Sequence, residues 1–265
     1  MDVDVSQYLG KGDAVYNSFS SIKKKYDATA WQQFYQILEH TDHLKTHTDH
    51  LSGYGLEYDY SRQYQTPNPS FFYQYRDGLS GDMKRMYLSY ITEQLEGYEM
   101  AGDAVDQIDA LASVDLVGLW LGRHTQAIRF VTLNVDLPTL ENCVNQLVDP
   151  SASSWIVDKM SEWESLFKNM RLAVDYVNNK FLMPVGMECV HALDWHLVLG
   201  KLKEMSLITL PQFEFFTRVV NGDFNLNIQD SNYQFYMKIN HVKFVFNKGC
   251  EMSVKLYTDF RVELQ

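Results

Sequence analysis

The most regular stretch of the chain is WIVDKMSEWESLFKNMRLAVDYVNNKF, residues 155–181. Its apolar residues recur at alternating intervals of four and three, the heptad spacing of a helix that packs along a neighbour. They are Ile156, Met160, Trp163, Phe167, Met170, Val174, Val177 and Phe181. We therefore predict a long amphipathic helix over residues 155–180 at the centre of a helical body, packed internally rather than between copies.

Towards the C-terminus the apolar residues recur with a period of two. In residues 224–265 apolar and polar side chains alternate, and turn signals such as Asn240-His241 separate the runs. This alternation is typical of antiparallel strands that bury one face. We predict an antiparallel β-meander there, which a strand over 127–135 (AIRFVTLNV) would join.

Together these patterns predict an α+β fold, with a mainly helical body over residues 1–223 and a β-sheet region over 224–265, packed as one unit. Within the body, residues 53–81 contain six tyrosines and two prolines with little periodicity. Proline opposes a helix there, and loops of this length tend to be functional. We predict a Tyr-rich excursion that packs on its own domain or binds a partner, because tyrosine is enriched in interfaces.

Composition excludes several classes of protein. The 265 residues include 23 Lys and Arg against 34 Asp and Glu, a formal charge of −11, which disfavours nucleic acid as a partner. Three scattered cysteines suit a reducing compartment. We find neither a signal peptide nor an apolar run long enough to span a membrane. We expect a soluble protein, cytoplasmic where it is synthesised, with no membrane partner.

Four histidines form the strongest candidate for a metal site. Their spacing of three, four and three places them along one side of a helix, where neighbouring imidazoles can share a metal ion. They lie away from the apolar stripe of that helix, so an exposed polar face is the simpler interpretation. The four are His40, His43, His47 and His50.

Other motifs give little support for catalysis. The sequence lacks the GxSxG, HExxH, GxxxxGK[ST] and GxGxxG motifs. Glu188 and His191 have the spacing of one half of a di-iron site, but the second half is missing. The aspartates from Asp103 to Asp115 lack the glycine and glutamate of an EF-hand loop, so a solvated acidic face explains them. We predict neither a catalytic residue nor a cofactor.

A segment over residues 197–220, followed by strands, has the order of a winged helix-turn-helix. Its second helix offers only Arg218, with Glu214 close by, which is too little positive charge for a DNA reader. A regulator that uses this segment is therefore one of our alternatives. A metal-binding protein or metal-dependent enzyme that uses the His40–His50 face is another.

Our leading hypothesis is a non-enzymatic assembly protein that acts through contacts with other protein subunits, including further copies of itself. A component of a virus or phage particle is an example of such a protein, and its location would then be the particle. The motivation is the Tyr-rich excursion together with a terminal strand that can pair at its edge. The predicted contact residues are Tyr54, Tyr58, Tyr60, Tyr64, Phe71, Phe72, Phe260, Val262 and Leu264.

Overall fold

Strands occur along the whole of the described chain and are not confined to its C-terminal part. The computed structural model describes residues 32–34, 36–37, 51–59, 68–93, 95, 101–121, 127–222, 226–227 and 233–264. The strands within these ranges are β1 Leu51–Asp59, β2 Asn68–Tyr75, β3 Val114–Trp120, β4 Ile128–Asn134, β5 Phe167–Val177, β6 Lys180–Ala192, β7 Leu226–Asn227, β8 Tyr233–Asn247 and β9 Glu251–Leu264. The predicted mainly helical body is therefore wrong.

The helices are shorter than the predicted central helix. Their bounds are α1 Gly81–Thr92, α2 Ala101–Asp109, α3 Leu137–Cys143, α4 Pro150–Ser161, α5 Trp195–Glu204 and α6 Leu210–Val220. A π-helical turn at Val144–Val148 follows α3, and a 3₁₀ turn at Glu164–Leu166 follows α4. Residues 32–34 and 36–37 are also helical. Within the described ranges, no helix combines the length and the apolar composition needed to cross a membrane.

The strands follow the hydrogen-bonded order β1-β2-β3-β4-β5-β6-β8-β7, and β9 pairs with β8. The pairs β1–β2, β2–β3, β3–β4, β6–β8, β7–β8 and β8–β9 are all antiparallel. Most neighbours in this order are consecutive along the chain, and they are joined either by turns or by helical connections such as α1 and α2 between β2 and β3. The C-terminal part is antiparallel, as predicted, but it consists of a long β8–β9 hairpin and the two-residue strand β7 rather than of several short strands.

The chain divides into two compact units, and neither is continuous in sequence. The first unit comprises Met1–Leu133, Gln146–Val148 and Ala173–Leu182. The second comprises Asn134–Asn145, Asp149–Leu172 and Met183–Gln265. This division does not follow the boundary at residue 223 that the sequence suggested.

The long helix predicted over residues 155–180 does not form. α4 ends at Ser161, and β5 begins at Phe167. Every residue of β5 from Leu172 to Val177 is buried. Because both faces of this part of the strand are covered, its apolar residues are not restricted to alternate positions, and their spacing coincides with that of a helix.

A tight turn between β5 and β6 also opposes the predicted long helix. Asn178 and Asn179 have φ angles of 48° and 62°. Positive φ at both central residues is what a two-residue type I′ turn requires, and asparagine tolerates it better than most residues. The Asn-Asn pair was the signal in the sequence that opposed a continuous helix.

The Tyr-rich segment, predicted as an excursion, forms β1 and β2 instead. Tyr73 and Tyr75 are buried in the first unit with their hydroxyl oxygens 3.3 Å apart, and the Tyr75 hydroxyl donates to the Lys84 carbonyl oxygen at 2.8 Å. Burial raises the pKa of both tyrosines. Aromatic residues suit strands as well as interfaces, which is why their enrichment was misinterpreted.

Candidate interaction surface

A long hairpin dominates the C-terminal part of the second unit. Its strands β8 and β9 have 15 and 14 residues and are paired along their length. In the turn between them, Gly249 and Cys250 have φ angles of 83° and 61°, so the backbone reverses direction within three residues. Cys250 is exposed.

A β-bulge at Asn240 keeps the apolar residues of β8 on one face. Ile239 lies opposite Thr258 and His241 lies opposite Tyr257, so Asn240 is the extra residue. The extra residue shifts the alternation of side chains by one position. Ile239 therefore lies on the same face as the even-numbered residues after the bulge, such as Val242 and Phe244. The turn predicted at Asn240-His241 is therefore a bulge inside a single strand.

Within the described residues, β9 is an edge strand. β8 is paired with β9 on one side and with β6 and β7 on the other, whereas β9 is paired with β8 alone. Alternate residues of an edge strand direct their backbone N–H and C=O groups away from the sheet, where another strand can bind. β9 contains no proline, which would interrupt such pairing.

The side chains of β9 alternate between two environments. The first odd-numbered positions are exposed, and the even-numbered positions between them are half-buried. The exposed residues are Glu251, Ser253 and Lys255, and the half-buried ones are Met252, Val254 and Leu256. A strand with one polar face and one apolar face can accept a further strand with the same alternation. The added strand then continues both the polar and the apolar face of the sheet.

The apolar face of β8 packs on α4 and on the residues just after it. Phe244 and Phe246 are fully buried. The ring of Trp163 lies 4.6 Å from Phe244, and the ring of Trp155 lies 5.3 Å from Phe246. Lys201 Nζ lies 4.7 Å from the centre of the Trp163 ring, a cation–π contact. The edge strand β9 is thus paired with a strand whose apolar face is closely packed.

A buried ion pair lies on the opposite face of β8. Lys243 and Glu188 are cross-strand partners on β8 and β6, and Lys243 Nζ donates to Glu188 Oε1 at 2.7 Å. Their side chains are 5% and 17% exposed. A charge with so little access to water depends on its partner, so this pair helps to fix the register of β6 on β8.

His241 joins the two strands of the hairpin on that same face. Its ring stacks on Tyr257 of β9, with 4.3 Å between ring centres and an angle of 14° between planes. Its Nδ1 lies 3.2 Å from Asn240 Oδ1. Burial lowers the pKa of His241, Glu188 acts against this shift, and the positive charges of Lys243 and Arg171 add to it. The folded chain therefore favours the neutral imidazole.

Asp259 connects the edge strand to the bulge. Its carboxylate accepts a hydrogen bond from Asn240 Nδ2 at 2.8 Å, and Lys238 Nζ lies 3.5 Å from its other oxygen. The Lys238 side chain is 77% exposed, so water screens this second interaction. Asp259 is thus already engaged within its own hairpin.

Two helices occupy the segment that resembled a helix-turn-helix. Asp194 caps α5, and α6 begins with a capping box in which Thr209 and Gln212 each accept from the other's backbone N–H. Arg218 lies in the last turn of α6. Arg218 is the one basic residue of α6, and the lysines of this segment, Lys201 and Lys203, lie in α5, so the second helix adds nothing to the DNA-reading alternative.

Several apolar side chains around these helices are exposed. One side of α5 is buried, through Val198, Leu199 and Leu202. The exposed residues are Leu193, Leu197, Leu210 and Phe215. Such side chains are compatible with a contact surface but do not define one singly.

The predicted partner-binding residues fall in three places. Tyr54 and Tyr58 are in β1, whereas Tyr60 and Tyr64 lie outside the described residues. Phe71 is fully buried, so it offers no surface to a partner. Phe72 is half-buried and covers Gly118 of β3, where an added Cβ would lie 2.3 Å from the Phe72 ring.

The remaining three predicted residues, Phe260, Val262 and Leu264, are positions of the edge strand β9. By register they lie opposite Met237, Phe235 and Tyr233 of β8. Sequence reasoning missed Lys243, His241 and Tyr257 on the neighbouring face. The available signal was a lysine at an interior position of an apolar strand, which requires a partner of opposite charge.

The predicted metal ligands His40, His43, His47 and His50 lie outside the described residues. Elsewhere, in the part of the chain that the structure describes, no group of three His, Cys, Asp or Glu side chains could hold a metal ion. Glu188 and His191 are in the strand β6 and not on a helix, and Glu188 is paired with Lys243.

The aspartates once considered as cation ligands pair with side chains of the first unit. Asp109 accepts from Lys84 Nζ at 2.6 Å, and Asp106 accepts from Arg85 at 2.6 Å. Asp115 is buried and accepts from Gln74 Nε2. Asp103 and Asp106 are exposed, as the predicted solvated acidic face requires, whereas Asp109 is half-buried and Asp115 is buried in β3.

No protein-family model, curated protein or solved structure matches this chain. The surface formed by β9 is therefore interpreted from its own geometry and chemistry.

Proposed function

We propose that this chain is a non-enzymatic assembly protein that binds other protein subunits through the exposed edge of β9. The observation that supports the proposal is a 14-residue strand paired on one side within the described residues. Proteins usually protect such edges by shortening them, by placing proline or inward-pointing charge in them, or by covering them. β9 is long and contains no proline, and its charged residues all lie at odd positions, which leaves the even-numbered positions of the strand free of charge.

The support under β9 strengthens the proposal. An added strand binds through backbone hydrogen bonds, so the receiving strand must be held in an extended form before the partner arrives. β9 is held by its register with β8, by the stacking of His241 on Tyr257 and by the hydrogen bond from Asn240 to Asp259. A partner would therefore lose little conformational entropy in ordering this surface.

The proposal is tested with a variant that protects the edge. Val254→Lys places a charge on the apolar face of β9, as natural edge strands do, and Val254→Thr is the matched control that keeps a β-branched side chain. We expect the parent chain and the control to migrate above the monomer mass, and Val254→Lys to migrate as a monomer. The measurement is size-exclusion chromatography, with light scattering on the purified protein and antibody detection of the tagged chain in an extract of the source cells.

Circular dichroism and thermal unfolding would show that both variants remain folded. A parent chain that migrates as a monomer in both the purified and the extract samples would contradict the proposal. So would a Val254→Lys variant that remains folded and assembles as the parent does.

A further inference from the structure

The sequence of β9 is complementary to itself in one antiparallel register. When two copies pair about a two-fold axis through Leu256, every residue from 251 to 261 lies opposite a residue of the same span in the other copy. In this register Glu251 lies opposite Arg261, and Lys255 lies opposite Tyr257. Opposite charges and lysine–aromatic pairs at directly opposed positions stabilise a strand pair.

The same register also matches the apolar face. Because directly opposed residues of antiparallel strands project to the same face, even positions meet even positions. The apolar-face pairs are Met252 with Phe260, Val254 with Thr258, and Leu256 with its own copy. The apolar face of one hairpin would thus continue into that of the other.

The neighbouring registers bring like charges together. An axis through Tyr257 places Glu251 opposite Glu263, and an axis through Thr258 places Lys255 opposite Arg261. Like charges at directly opposed positions destabilise a pair. Shifting the register by an odd number of residues would place polar residues opposite apolar ones, which is also unfavourable.

One other extended register, centred on Phe260, avoids like charges. It spans only residues 256–264 and depends on pairing Asp259 with Arg261. Asp259 already accepts a hydrogen bond from Asn240 at 2.8 Å and lies 3.5 Å from Lys238. The register through Leu256 is longer and leaves those interactions in place.

We propose that two copies of this chain form a dimer in which their β9 strands pair antiparallel about an axis at Leu256. This inference rests on the proposed function, of which it names the partner. Antiparallel pairing of identical edges closes a two-fold contact, so the product is a discrete dimer with a continuous sheet.

Disulfide trapping tests the register. In a Cys250→Ser background, Leu256→Cys places the new thiol opposite its own copy, whose Cα would be about 5 Å away. Val254→Cys is the matched control on the same face. Its copy would lie four residues along the strand, about 13 Å away, beyond the reach of a disulfide. We expect oxidation to give a covalent dimer with Leu256→Cys and none with Val254→Cys.

Charge reversal tests the same register without a covalent bond. Glu251→Arg and Arg261→Glu should each raise the dimer dissociation constant about tenfold, because each places like charges at two positions. The double variant should restore the parent constant to within about threefold. Glu263→Lys, which lies on β9 but outside the paired span, is the control and should leave the constant unchanged.

A double variant as weak as the single ones, or equal trapping at positions 254 and 256, would overturn this register. If the chain is a monomer when purified but enters a heavier complex in the extract, with Val254→Lys excluded, the dimer is wrong and the proposed function stands. If the purified chain dimerises and Val254→Lys dimerises equally, both are wrong.

Discussion

The two strands of one hairpin, β8 and β9, have the same alternating sequence pattern but very different surroundings. In β8, Phe244 and Phe246 are fully buried, and even Lys243 is only 4% exposed. In β9, the residues opposite them are half-buried or exposed. The difference follows from position, because among the described strands β8 has neighbours on both sides and β9 has a neighbour on one side. We infer that β8 carries stability and that β9 is available for binding.

The largest effect is expected at the packing under β8. Trp163→Ala removes a fully buried ring that lies 4.6 Å from Phe244. The expected loss in the free energy of unfolding is about 3–5 kcal/mol. Val254→Ala on β9 should cost about 1 kcal/mol, because its side chain is only half-buried. Urea unfolding measures both. Equal losses would show that the two strands are not distinct in stability.

The next effect concerns the lysines of β8. Lys243→Met removes the 2.7 Å ion pair with Glu188, in which both side chains have low exposure, and should cost about 3 kcal/mol. Lys238→Met removes the 77%-exposed partner of Asp259 and should change stability by less than about 1 kcal/mol. The measurement is the urea midpoint at constant m-value. A cost of Lys243→Met as small as that of Lys238→Met would contradict the importance assigned to the buried pair.

A smaller difference is expected between two serines, one under β8 and one on β9. Ser153 of α4 is buried, and within the described residues its hydroxyl has no hydrogen-bond partner. Ser153→Ala should therefore raise the free energy of unfolding by about 0.5–1 kcal/mol, because an unsatisfied polar group leaves the interior. Ser253→Ala on the exposed face of β9 should change it by less than about 0.5 kcal/mol. A thermal scan of both variants is sufficient, and a destabilised Ser153→Ala would indicate a hydrogen bond to another part of the chain.

The smallest effect is expected where His241 of β8 stacks on Tyr257 of β9. Burial lowers the folded-state pKa of His241 below its ordinary value of 6.5, so the unfolded chain binds this proton more readily. The stability from this group is complete above pH 6.5 and is lost as pH falls through the folded-state pKa. His241→Phe keeps a flat ring against Tyr257 but cannot titrate. The difference in unfolding free energy between parent and variant should therefore depend on pH below 6.5, and a constant difference would contradict the assignment.

Local signals in the sequence predicted several elements correctly. The strand expected over 127–135 is β4, Ile128–Asn134. Asp136 caps α3 through a hydrogen bond from Thr139 N, and Pro138 lies in the first turn, both of which are local signals of a helix start. Thr209 starts α6, and the helix ends at Asn221-Gly222. These features depend on residues within a few positions of one another, so the sequence alone carries the information.

Local signals in the sequence predicted only part of the candidate interaction surface. Alternation in residues 224–265 indicated strands, and Phe260, Val262 and Leu264 were placed on one of them. The bulge at Asn240 was interpreted as a turn, because a bulge and a turn both interrupt the alternation of side chains. Which interpretation applies depends on the partner strand, which the local pattern does not contain.

The helix caps, the Asn178-Asn179 turn and the alternation of the C-terminal strands follow from the amino-acid sequence, since all of these arise from backbone preferences and neighbouring side chains. Only the tertiary structure decided that residues 167–177 are a strand, because burial on both faces removed the alternation that would have identified it. The tertiary structure also decided that the tyrosines of β2 belong to a core and that β9 lies at an edge of the described sheet. An interior strand and an edge strand can have the same pattern of residues, because what distinguishes them is the number of strands beside them.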